Sequence, residues 1–194
     1  DHPDHIYGNN VEIQGDILAE SRQGKAYAAG YAYLSNTHRR NCTVTVDGSI
    51  AAVSPVQPMA AGFVTIQSTG QNYFLKDCEI TVAGDIRATG MKDGGNGIAA
   101  GGAALLNYMY SADNLEISGN TVSVGGSIFC DGTESSNGFT GLIAGYYAAD
   151  EKKVNIYLKD NHFTGTESLV EIKEEDLEAF PEKYTYFTNI LNPE

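Results

Sequence analysis

The groups able to do chemistry in this chain are few and scattered. Asp47, Asp85 and Arg87 are expected near one another on neighbouring repeats, with Glu79 close by, and carboxylates gathered on one exposed face can supply the acid and base of sugar-cleaving chemistry. A surface on which the arginine and the acids neutralise one another explains the same residues more simply. His2, His5, His38 and His162 stand apart, none with Cys, Asp or Glu at zinc-ligand spacing, so neither a metal site nor a cofactor is expected. The glycine-rich "GGNGIAAGG" at 94–102 joins strand to strand, which is not how a phosphate cradle is built, and nucleophile-elbow, zinc-protease and dinucleotide fingerprints do not occur. No catalytic residue is therefore assigned. Aromatic rings are the better candidates. Tyr31, Tyr33, Phe63, Tyr108, Tyr110, Tyr146 and Tyr147 cluster after a recurring Ala-Gly pair. A strip of such rings on a rigid scaffold suits contact with a sugar or a protein, although alternation turns about half of them inward.

Positioning these residues requires a scaffold, and the scaffold is written as a repeat. "NCTVTVDGSIAA" at 41–52 returns as "DCEITVAGDIRA" at 77–88. Aligned on one column, Asn9, Cys42, Cys78, Asn120 and Asn161 follow one another at intervals of 33, 36, 42 and 41 residues, periods that belong to solenoids, propellers or arrays. Two residues on stand Val11, Val44, Ile80, Val122 and Phe163; four on, Ile13, Val46, Val82 and Val124. Gly15, Gly48, Gly84 and Gly126 follow at six, Ile17, Ile50, Ile86 and Ile128 at eight, and Ala19, Ala52, Ala88 and Cys130 at ten. All are even steps and share one strand face, expected to be buried. The odd steps carry Glu12, Thr45, Thr81, Ser123, Asp16, Ser49, Asp85 and Ser127, expected to face water.

A second column of small residues, Ala29–Gly30, Ala61–Gly62, Ala100–Gly101 and Ala144–Gly145, marks a second strand where backbones approach closely. "YFLKD", "NLEIS" and "VNIYLKD" supply a third, leading back to the anchor column. The expected fold is all-β: a parallel β-helix, or β-solenoid, of about four rungs with three strands each over residues 1–165. Residues 166–194 are expected to form a C-terminal cap, with "KEEDLEAF" as a short helix ended by Pro181 and "YTYFTNIL" as a last strand. A leucine-rich repeat has a shorter period, and a propeller needs hairpin turns that do not recur in register here. Stacked in register, Cys42 and Cys78 come within disulfide distance, but parallel side chains point the same way and strain a bridge, so buried free thiols are expected. The inserts at 53–59, 89–97 and 131–140 follow equivalent strands and are expected to lie together as one loop surface.

A formal charge of −13, from 25 acids against 12 bases, disfavours nucleic acid and anionic membrane as partners. No apolar run approaches the length of a membrane span. No signal peptide is evident, and the leading "DHPDH" reads as the start of a mature or trimmed form. Over residues 6–165 the pattern resembles the degenerate repeats of bacterial surface and secreted β-solenoids, including autotransporter passengers and glycine-rich adhesins. That resemblance implies an extracellular or cell-surface module with an adhesive, ligand-binding or structural role, and a host or bacterial surface protein or glycan as partner. It carries over no catalytic residue. The alternative is a carbohydrate-active enzyme, a polysaccharide lyase or glycoside hydrolase, on the same scaffold.

Overall fold

Alternating small β-branched residues and hydroxyls favour extended backbone, and every element among the described residues is a β-strand. The structure, a computed structural model, describes residues 5–35, 38–67, 73–90, 98–107, 114–132, 138–146, 155–164 and 170–171. The first repeat holds β1 (His5–Tyr7), β2 (Asn10–Ile13), β3 (Ile17–Glu20), β4 (Ala26–Ala29) and β5 (Ala32–Ser35). The second holds β6 (His38–Arg40), β7 (Thr43–Val46), β8 (Ile50–Ser54), β9 (Pro58–Ala61) and β10 (Val64–Gln67). The third holds β11 (Tyr73–Lys76), β12 (Glu79–Val82), β13 (Ile86–Gly90) and β14 (Ile98–Asn107). The fourth holds β15 (Asn114–Ser118), β16 (Thr121–Val124), β17 (Ile128–Gly132) and β18 (Gly138–Tyr146). Last come β19 (Asn155–Lys159), β20 (His162–Thr164) and β21 (Val170–Glu171).

Successive repeats stack their equivalent strands in parallel, so that each repeat contributes to several sheets. The first sheet runs β1-β6-β11-β15-β19, the second β2-β7-β12-β16-β20, and the third β3-β8-β13-β17. The fourth runs β5-β10-β14-β18-β21, with β4 and β9 joined to it through β14. Three strands per repeat was therefore too few: the first two repeats hold five and the next two hold four. The long even-step segment is two strands, because the backbone turns at its glycine, as at Asp47–Ser49 between β7 and β8. The alternation runs through the corner unbroken, which is why it reads as a single strand.

The registers reproduce the columns. Val44 pairs with Ile80 and Ile80 with Val122; Ile17, Ile50, Ile86 and Ile128 form one line, and Ala19, Ala52, Ala88 and Cys130 another. Val44, Val46, Ile50, Ala52, Ile80, Val82, Ile86 and Ala88 are all fully buried, and each large aliphatic side chain so placed contributes about 1.5–3 kcal/mol. Val11, Ile13, Ile17 and Ala19 are only partly buried, since the first repeat has a neighbour on one side only.

The second column keeps its register for one step only. Ala28–Ala29 pair with Ala60–Ala61, but Ala61 then pairs with Gly101, one residue off, and Ala144–Gly145 fall opposite Leu105–Leu106. A run of Ala and Gly has no size contrast to hold one alignment against its neighbour. The first insert is also corrected. Ser54, Gln57, Pro58 and Met59 are buried. Ser54 Oγ accepts the N–H groups of Val56 at 3.0 Å and Gln57 at 3.2 Å and donates to Gly24 O. Residues 53–59 are a packed corner with strand ends on both sides, not a free loop. Most of the other two inserts, at 91–97 and 133–137, lies outside the described residues, as does the expected cap helix. Within the expected cap, β21 is described, and it pairs antiparallel with β18.

Candidate functional site

Two corners hold the sheets in register, and each does so with a column of side chains. At the first, between the first and second sheets, the residue before the anchor has positive φ in all five repeats: Gly8, Asn41, Asp77, Gly119 and Asp160, from 52° to 70°. Only glycine, asparagine and aspartate adopt this conformation cheaply. The anchor that follows then bonds along the stack. Cys42 N–H donates to Cys78 Sγ at 3.4 Å, Cys78 N–H to Asn120 Oδ1 at 2.9 Å, and Asn120 N–H to Asn161 Oδ1 at 3.1 Å. At the second corner the sense reverses. Ser49 N–H donates back to Asp16 Oδ1 at 2.7 Å, Asp85 N–H to Ser49 Oγ at 3.0 Å, and Ser127 N–H to Asp85 Oδ1 at 2.8 Å. Asp16, Ser49 and Asp85 are thus not merely a wet face; their side chains terminate backbone donors. They also impose the glycine column. A Cβ on Gly84 would strike Ser49 Oγ, and one on Gly126 would strike Asp85 Oδ1.

This disposes the candidate acids differently from expectation. Asp85 is a corner acceptor. Arg87 is exposed in β13 between Ala51 and Phe129, neither of them acidic, so the expected mutual neutralisation with Asp47, Asp85 and Glu79 does not form across the sheet. Among the described residues an ion pair lies elsewhere, Arg40 Nε to Asp77 Oδ2 at 3.1 Å. His162 is exposed beside Thr164. Among the described residues no three His, Cys, Asp or Glu side chains converge as a metal site.

Of the aromatic candidates, the structure brings Tyr31 and Phe63 together, with ring centroids 5.0 Å apart. Phe63 is fully buried, which removes it from any exposed strip: it fills the interior. Tyr31 is half-buried, packs against the core, and accepts a 2.8 Å bond from Asn9 Nδ2. Tyr33 lies in β5 and Tyr146 in β18, while Tyr108, Tyr110 and Tyr147 lie outside the described residues.

Arg39 is the interior surprise. It occupies a line whose other members are Ile6, Leu75, Ile117 and Leu158, and it is 2% exposed. Its guanidinium sits 5.1 Å from the Tyr31 ring centroid, and Nη1 donates to His38 O at 3.0 Å. Nε has no partner. Burial pulls its pKa down, opposed by Tyr31 close by. In sequence, "HRR" reads as solvated. Arg39→Leu completes the aliphatic line and removes a buried charge, so the variant is expected to be between neutral and about 4 kcal/mol more stable, as when other buried charges are replaced by packed apolar groups. Urea denaturation measures this, and a clear loss of stability would mean that the Tyr31 contact outweighs desolvation.

The cysteines are free, Cys42 and Cys78 buried and Cys130 half-buried. Burial pushes the Cys78 thiol up to about 12, against the pull of the Cys42 backbone N–H. A thiol so placed is not a nucleophile at neutral pH. In the native protein a thiol-reactive probe is expected to label Cys130 well before Cys42 and Cys78, and all three on unfolding; peptide mass spectrometry of the labelled sites decides it.

Sequence reasoning passed over the outward face of the first sheet. His38 stacks on Phe74 at 4.2 Å with planes 19° apart, and Phe74 N–H donates to His38 Nδ1 at 3.2 Å. Lys76 Nζ lies 5.2 Å from the Phe74 ring centroid. Arg40 and Lys76 are partners across β6 and β11. The signal was present two places before each anchor, where Tyr7, Arg40, Lys76, Ser118 and Lys159 align. No helix among the described residues is long and apolar enough to cross a membrane. No protein-family model, curated protein or solved structure matches the chain.

Proposed function

We propose that the parallel sheets are the sides of a β-solenoid and that the chain is a binding or structural module of an extracellular or cell-surface bacterial protein. The observation that carries the reading is the pair of corner columns, in which side chains of one repeat terminate the backbone of the next. Such a stack stabilises an extended rigid rod with continuous side faces, and rigid scaffolds of this kind present surfaces to partners. The placement of two of the candidate groups supports this reading: Asp85 accepts the Ser127 N–H, and the residues directly opposite Arg87 are Ala51 and Phe129. The partner is a surface glycan or protein of a host or bacterial cell. Purified chain on a glycan array, with a reducing-sugar release assay run on every polysaccharide bound, is expected to give binding without cleavage. Sugar release abolished by Asp85→Ala in a still-folded protein would replace this reading with the lyase or hydrolase alternative.

A further inference from the structure

We propose that the first repeat, β1 to β5, opens as a unit while the rest of the stack stays folded, and that the buried guanidinium of Arg39 sets the seam at which it parts. Strands β1, β2, β3 and β5 end their sheets, so the first repeat is held from one side, whereas the second and third are held from both. Stability in such a stack is close to a sum of neighbour interfaces, and a repeat bound through one interface opens more readily than one bound through two. The inward side chains follow suit. Val11, Ile13 and Ile17 are only partly buried, while their register partners Val44, Val46 and Ile50 in the second repeat are fully buried.

One-sided support belongs to any end repeat; Arg39 is particular to this one. A buried charge is stable when it is paired and fully hydrogen-bonded. Among the described residues no carboxylate acts on Arg39, and its Nε has no partner. Its cover from the first repeat is Tyr31, whose ring centroid lies 5.1 Å from the guanidinium and whose hydroxyl is held by Asn9, another first-repeat residue. Its bond from Nη1 to His38 O lies within the second repeat. Opening the first repeat therefore removes the cover and keeps that bond, so the guanidinium meets water without giving up an ion pair. The contact of Tyr31 with Phe63 and the strand pairing hold the seam closed at rest. One repeat further in, the same line holds Leu75, which is buried, and parting the stack there would bare an aliphatic side chain instead. The easy seam thus lies between the first and second repeats.

The test is native-state hydrogen exchange of the full chain, read by NMR at two sets of amides. Ile17 and Ser21 donate across the seam, to Ser49 O and Val53 O; Ala83 and Gly125 donate further up the stack, to Val46 O and Val82 O. In the parent the first set is expected to exchange at least roughly ten-fold faster than the second, through an opening smaller than global unfolding. Ile86→Val, deep in the third repeat, is expected to speed the second set roughly five-fold and leave the first unchanged. Arg39→Leu is expected to slow the first set roughly ten-fold, because the guanidinium it removes is hydrated in the opened state. Arg39→Met, which keeps an unbranched chain, should act alike. A common rate for both sets, moved together by Ile86→Val, overturns the separate opening. First-set exchange that is unchanged or faster in both Arg39 variants overturns the role of Arg39 at the seam.

Discussion

Replacing Ile86 by aspartate is expected to abolish the folded state. Ile86 is fully buried in β13 between Ile50 and Ile128, so an aspartate there places a carboxylate among aliphatic side chains with no cation to meet it. Lost burial and an uncompensated charge together cost at least about 4 kcal/mol, against a typical total stability of roughly 5–15. Thr81 is the internal control. It lies half-buried on β12, across from Thr45 and Ser123, and Thr81→Asp should fall within roughly 1 kcal/mol of the parent. Circular dichroism melts of the two variants make the comparison. Equal melting temperatures would reverse the assignment of inner and outer faces.

The second large effect is expected at Asn120, which is 1% exposed. Its Oδ1 accepts the Cys78 N–H at 2.9 Å, and its Nδ2 donates to Leu75 O and to Asn161 Oδ1, both at 2.9 Å. Asn120→Ala leaves the Cys78 N–H and the Leu75 carbonyl without those partners inside the corner. At about 1–3 kcal/mol for each buried group so orphaned, the loss is roughly 2–6 kcal/mol. Cys78→Asn should be tolerated, because the column already accepts asparagine one repeat further on and an amide oxygen is a stronger acceptor than sulfur for the Cys42 N–H. Urea midpoints for the pair decide it; an Asn120→Ala protein as stable as the parent would show that the corner columns add nothing to stability.

What the sequence made legible was governed by contrast. In-register parallel pairing sets like over like, so the Asn/Cys anchor, the isoleucine line and the Ala/Cys line carry over directly from spacing to structure. The positive-φ residue before each anchor was equally regular, but Gly, Asn and Asp share a backbone tolerance and not a size or polarity, so a search for hydropathy passes them by. The Ala-Gly column failed beyond its first step because its members are interchangeable. Arg39 misled for the opposite reason: its charge says surface, and only the strand register reveals that it stands in an aliphatic line. The aromatic candidates followed proximity in sequence, whereas a ring's exposure is decided by which way alternation turns it, and for Phe63 that is inward.

The opposed sense of the two corner columns bears on how such a chain can change length. At one corner each repeat leans on its successor, through Cys42 on Cys78 and Cys78 on Asn120; at the other it leans on its predecessor, through Ser49 on Asp16 and Asp85 on Ser49. A tandem duplication of residues 42–77 would bring its own anchor, its own left-handed aspartate and its own corner hydroxyl, so every donor would still find an acceptor on the correct side. Growth or contraction by whole units in the middle is thus structurally silent. Loss of the last unit strands donors at one corner, and loss of the first strands them at the other. Variation in the number of repeats is therefore expected by whole units taken from between described repeats.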